Sequence, residues 1–198
     1  VREYVSNCSI SLRKIKDLEV PVIAAVNGLA MGGGIELMCV CDFRIASEKA
    51  IFGQAEINIG LMPGTGGSVE LPNIVGWAKA KEMVMLGRTY SAQEALEMGL
   101  VMKLAAPESV MDEAKSLAQE LTIKPRTALR VAKHMMNTGI NLDLMSARRM
   151  EIELFNLLYM TKDAKEGLLS VIEKRKPQFK GEELVPAVKK GMAFKRGE

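Results

Sequence analysis

The first twenty positions, VREYVSNCSISLRKIKDLEV, repeat their apolar residues at the three-to-four spacing of an amphipathic helix. The pattern then changes. Pro21 to Val26 (PVIAAV) is a short continuous apolar run ended by Asn27-Gly28, which predicts a strand buried on both faces. A glycine cluster and an apolar helical segment, Ile35 to Cys41, follow at once. Asp42 to Ala46 reads as a second strand, Ser47 to Ala50 as a turn, and Ile51 to Gly53 as a short third strand. Such alternation of strand and helix predicts an α/β core.

From Pro63 the string PGTGG is a loop in which several positions are free to take positive φ, and helical patterning runs from it through Ile74. Ala78 to Leu86 is a further helix stopped by Gly87. Ser91 and Glu94 have the spacing of a capping box for the helix SAQEALEM, which Gly99 ends before the strand LVMKL. Beyond Pro107 only helices are predicted, over about 109–121, 125–137, 142–160 and 163–175. Thr161 or Asp163 begins the last of them. The α/β part is therefore expected over residues 1–106, a helical region over 107–180 and a tail over 181–198.

The chain has 198 residues, 48% of them hydrophobic, enough for one full domain with an appended element. A formal net charge of +3 with 26% charged residues gives no ground for a nucleic-acid or membrane partner. Residues 101–198 hold all the positive excess, 18 Lys+Arg against 13 Asp+Glu, which reads first as a solvated helical surface and second as a site for an anionic group. The longest apolar stretch, Val20 to Ala30, is too short to cross a bilayer. Cys8, Cys39 and Cys41 form neither a disulfide framework nor a zinc pattern and suit a reducing compartment, so a cytoplasmic location is expected. The fourteen methionines read as core filler, with the lining of an apolar pocket as the second reading.

Three features bear on chemistry. NGLAMGGGIE places Gly32, Gly33 and Gly34 between a buried strand and the first turn of a helix, where backbone N–H groups lack internal partners and a ligand oxygen can approach closely. Taken alone, such a cluster more often serves close helix-to-strand packing. Glu36 follows in an otherwise apolar helix, and Glu56 is again a lone acid in FGQAEINIG. Each acid alone could cap a helix or pair with a lysine, but two converging on one cleft can work as acid and base beside a developing oxyanion. His134 is the only histidine, on a lysine-rich helix, and reads as a surface residue.

The string PVIAAVNGLAMGGGIELMCVCDFRIASEKAIFGQAEINIGLMPGTGG resembles the signature region of the enoyl-CoA hydratase/isomerase, or crotonase, family. The resemblance continues through GRTYSAQEALEMGLV and TKDAKEGLLSVIEKRKPQF. It implies an α/β, crotonase-like (ClpP/crotonase) spiral core of ββα units with a C-terminal helical trimerisation region. It further implies Gly33 N–H as an oxyanion-hole donor. Glu36 would hold and activate water for attack at Cβ, and Glu56 would handle the proton at Cα. Gly32, Gly34, Pro63 and Gly64 would line the thioester and water site, and Lys174 and Phe179 would approach the CoA phosphates or adenine. No metal, nucleotide or flavin cofactor is implied, since coenzyme A is part of the substrate, and the partner expected is another copy of the chain in a trimer or dimer of trimers.

Both acids are retained, which favours hydration of a trans-2-enoyl-CoA to a 3-hydroxyacyl-CoA over isomerisation or another acyl-CoA reaction of the family. A non-catalytic RNA-binding member using the basic C-terminal half is the rival from another class. The resemblance places the second oxyanion donor and the adenine loop in opening strands that are expected before Val1. A further departure is SVELPN at 68–73, where many members carry a Gln-Arg pair and another Arg.

Overall fold

The computed structural model describes residues 1–181, which divide into two compact units, Val1–Gln119 and the part of Glu120–Glu198 that is described. The first unit opens with α1 (Arg2–Lys16), followed by β1 (Ile23–Val26), β2 (Leu29–Met31) and α2 (Gly33–Cys39). Next come β3 (Phe43–Ser47), β4 (Ile51–Gly53), a 3-10 turn at Glu56–Ile59 and α3 (Gly67–Leu86). The unit continues with β5 (Thr89–Ser91), α4 (Ala92–Glu97) and β6 (Lys103–Ala105), and α5 (Val110–Thr122) carries the chain past its end.

Two three-stranded sheets form, β1-β3-β6 and β2-β4-β5. The first is all parallel, with Ile23 opposite Phe43 and Ile45 opposite Lys103. In the second, β2 pairs parallel with β4 and sets Met31 opposite Gly53, while β4 and β5 are antiparallel with Phe52 opposite Tyr90. The parallel register of β2 and β4 decides the site, because it brings the residues that leave the two strands side by side. Gly32 N–H donates to the Gly53 carbonyl at 2.9 Å.

Ile35, Ile45, Phe52, Leu71, Met83 and Leu100 are fully buried. Each such side chain contributes about 1.5–3 kcal/mol by leaving water. Polar groups complete the local structure. Ser91 and Glu94 make the expected capping box, and Gly87 closes α3 at φ 58°. Arg44 donates through Nε to the Leu100 carbonyl and through Nη1 to the Cys41 carbonyl, both at 2.8 Å.

Several expectations need correction. The PVIAAV strand, expected to be buried on both faces, is half-buried at each of the four residues of β1. Strands β2 and β5 went unpredicted: Leu29–Met31 lies between the Asn27-Gly28 turn and the glycine cluster, and Thr89–Ser91 runs into the capping box of α4. The two helices expected after PGTGG are one stretch, α3, broken where Gly76 takes φ 77° and ψ 158°. Strand character ends at β6, near the predicted compositional change at residue 106. Helix α5 buries Val110 and Ala114, and its Glu113 pairs with Lys103 of β6 at 2.5 Å.

The second unit contains α6 (Arg126–Gly139), α7 (Leu144–Tyr159) and α8 (Lys162–Ile172). Val131 and Leu154 are buried together, with Met135, Met150, Leu157 and Leu158 packed against them. Thr161 caps α8, its hydroxyl accepting from Ala164 N–H at 3.1 Å. His134 is exposed on α6. Of the expected tail only Gly181 is described; the rest lies outside the described residues. Among the described residues no helix is long and apolar enough to cross a membrane.

Candidate active site

Glu36 projects from the first turn of α2 and is 4% exposed. A buried carboxylate without partners would be costly, and this one has three donors. Its Oε1 accepts from Thr65 N–H at 2.7 Å and from Gly67 N–H at 2.9 Å, while Oε2 accepts from the Thr65 hydroxyl. The PGTGG loop therefore wraps the acid, with Gly66 at φ 132° letting the chain turn into α3 directly after Thr65.

Glu56 begins the 3-10 turn that follows β4 and is half-buried. Oε1 accepts from Gln54 Nε2 at 2.8 Å. Oε2 is buried with no hydrogen-bond partner, as is Gln54 Oε1. Buried polar atoms without partners are few in folded proteins and mark places where a ligand or water completes the set.

Gly67 links the two acids. Its N–H holds Glu36, and its α-carbon is so near Gln54 that a β-carbon there would lie 3.0 Å from Nε2, the same atom that donates to Glu56. Gly32 closes the other side. At φ 52° it has a backbone suited to glycine, and a β-carbon would stand 2.9 Å from Glu56 Oε1.

Gly33 is the first residue of α2 and is exposed, and a β-carbon added to it would meet nothing within 4 Å. The first helical bond here runs from Glu36 N–H to the Gly32 carbonyl, so the amides of Gly33 and Gly34 have no acceptor within the helix. Gly33 thus carries a backbone N–H without a helical acceptor three positions before Glu36. Gly34 packs toward Ala30, Pro63 is buried against Gly67, and Gly64 is exposed near Val5 of α1.

Cys39 lies one turn beyond Glu36 on α2, and its thiol is pushed up to about 12. Burial is the chief cause; Arg44 opposes it, while Glu70 and Glu36 add to it. The thiol is thus a packed apolar group beside the acids. Cys41 is also buried.

Lys174 and Phe179 belong to the second unit. Lys174 is exposed at φ 52°, and Phe179 lines an apolar cleft of about 200 Å³ with Pro125, Ala128, Leu158 and Gly167. The segment after α8 is latched to that helix. Glu166 accepts from Arg175 at 2.6 and 2.9 Å and from Gln178 N–H at 2.7 Å, while Asp163, 5% exposed, accepts from Lys180 and Gly181 N–H.

The structure therefore gathers Gly32, Gly33, Glu36 and Glu56 around one loop. Thr65, Gln54 and Gly67 complete the set and were not singled out in the sequence. Thr65 is the only side chain with a hydroxyl in PGTGG, and Gln54 is the one other polar residue in FGQAE, so each was visible as a polar exception in its string.

Residues 2–182 match the family model described as enoyl-CoA hydratase/isomerase. Crotonyl-CoA hydratase of Syntrophomonas wolfei is 43% identical over 178 residues, 90% of this chain and 68% of that protein. Short-chain-enoyl-CoA hydratase of Clostridium acetobutylicum is 41% identical over 83% of this chain and 63% of its own length. Among solved structures, enoyl-CoA hydratase from Bacillus anthracis superposes with a TM-score of 0.87 at 40% identity, covering 91% of this chain and 70% of that one. The chain thus spans about two thirds of the length of the relatives it matches.

Proposed function

The chain belongs to the enoyl-CoA hydratase/isomerase family and has its crotonase fold, and from that premise we propose that it catalyses the reversible syn addition of water to a trans-2-enoyl-CoA. The observation that carries this reading is the joining of Glu36 and Glu56 through Gly67 and Gln54 beside the open amide of Gly33. Hydration needs two carboxylate functions and a stabilised enolate. Isomerisation needs a proton shuttled between carbons and can proceed with one.

In this reading the thioester carbonyl oxygen accepts from Gly33 N–H, which stabilises the charge that develops there as the enolate forms. Glu36, oriented by Thr65 and Gly67, accepts a hydrogen bond from a water molecule and activates it for attack at Cβ. Glu56 starts protonated on its unpartnered Oε2 and gives that proton to Cα while Gln54 holds its other oxygen in place. The proton that Glu36 takes from the attacking water returns to Glu56 before the next turnover, so that one water supplies both the hydroxyl and the hydrogen added. The product is a 3-hydroxyacyl-CoA. Gly32, Gly34, Pro63 and Gly64 line the reacting end. The chemistry needs no cofactor besides the CoA carried by the substrate, and the working form is a cytoplasmic trimer or dimer of trimers.

The test follows loss of the ultraviolet absorbance of the conjugated thioester of crotonyl-CoA with wild-type protein, Glu36→Gln and Glu56→Gln. Turnover by the wild type, reduced at least about a hundredfold in both variants, supports two-acid hydration. Survival of proton exchange at the α-carbon in Glu36→Gln, without hydration by the wild type, would instead identify an isomerase.

A further inference from the structure

Lys16 in the last turn of α1 reaches across 54 residues to Glu70 in the first turn of α3. Its Nζ lies 2.7 Å from both carboxylate oxygens, and the two side chains are only 22% and 20% exposed. Glu70 is also tied to the turn that precedes it, its N–H donating to the Gly66 carbonyl at 2.8 Å. Gly67, the next residue after Gly66, is the one whose N–H holds Glu36. Helix α1 buries none of its own residues, and its Val5 stands beside the same loop, 3.4 Å from where a β-carbon on Gly64 would lie.

We propose that the Lys16–Glu70 ion pair positions the catalytic carboxylate of Glu36 by fixing the first turn of α3, making Lys16 and Glu70 positioning residues for the reaction. The pair also neutralises the carboxylate of Glu70, whose field reaches Cys39 together with that of Glu36. Loss of Lys16 frees the turn and leaves a second negative charge in the neighbourhood of the first. Displacement of a reacting group by about 1 Å is enough to cost a large factor in rate. The role rests on the hydratase reading.

The experiment measures kcat and KM for crotonyl-CoA hydration with the intact protein, Lys16→Met, Glu70→Gln and the exchange Lys16→Glu with Glu70→Lys, each normalised to folded protein by circular dichroism. Single variants are expected to lose about tenfold in kcat with KM within about twofold, and the exchange to return to within about threefold of wild type. If Lys16→Met does not fold, Glu70→Gln, which keeps shape and volume, carries the same comparison. Single variants with wild-type kcat and only a lower Tm would reduce the pair to a structural contact and overturn the proposal, as would an exchange no better than either single variant. A wild type without turnover removes the hydratase reading and the positioning role with it, whereas an active wild type with unaffected variants removes only the latter.

Discussion

Glu36 and Thr65, 29 positions apart, share two hydrogen bonds: the carboxylate accepts the backbone N–H of Thr65 at 2.7 Å through one oxygen and its hydroxyl through the other. A side chain gripped at both oxygens cannot rotate without breaking a bond to a charged group. Such bonds contribute about 1.5–3 kcal/mol each.

Thr65→Val keeps the volume and the backbone donor and removes the hydroxyl. The expected result is a fall of about ten- to a hundredfold in kcat with little change in KM, and Thr65→Ser should retain most of the activity. Steady-state hydration kinetics at fixed pH check it.

Gly32→Ala places a β-carbon 2.9 Å from Glu56 Oε1 at a residue with φ 52°. Displacement of the acid should lower kcat by about a hundredfold, and backbone strain should destabilise the fold by about 1–3 kcal/mol. Gly28→Ala, where a β-carbon meets nothing within 4 Å, serves as the control and should leave kcat unchanged. Equal effects from the two substitutions would show that the crowding at Glu56 has no bearing on the chemistry.

With a thiol at about 12, Cys39 exists almost wholly as the neutral thiol at pH 8 and should resist alkylation. Iodoacetamide followed by peptide mass spectrometry should find label on Cys8, half-buried on α1, long before Cys39. Activity should survive that labelling. Early modification of Cys39 would contradict the buried environment given to it.

Arg175, first, and Gln178 N–H hold Glu166 well below the usual carboxylate range, from 4.5 to about 2. Because the folded-state value is depressed, the contribution of this latch is complete above about pH 4.5 and is lost as pH falls toward 2. Thermal melts across that window should show a steeper decline for wild type than for Glu166→Gln, which lacks the titrating group. Parallel curves would remove the latch from the stability of the second unit.

Local patterns made much of the fold legible. The spacing of Ser91 and Glu94 sufficed for the capping box because both partners lie within one helical turn. Gly87 ended α3 as expected because a left-handed closing residue favours glycine. What escaped depended on distant partners: β2 and β5 exist through their pairing with β4.

Glu36, Glu56 and Gly33 stood out because lone acids and a glycine run are exceptions within apolar strings, and the length of the family resemblance raised those exceptions to a site. How they act on one another was decided only by tertiary structure. The parallel register of β2 with β4 places Gly32 beside Glu56, and the entry into α3 delivers Thr65 and Gly67 to Glu36 from about thirty residues away. The sequence by itself determined which groups carry charge, which backbone positions tolerate positive φ and where helices begin, since those depend on neighbours along the chain. Only folding decided which acid received three donors and which kept a buried oxygen without one, because hydrogen bonds across a cleft depend on distances that no local spacing encodes.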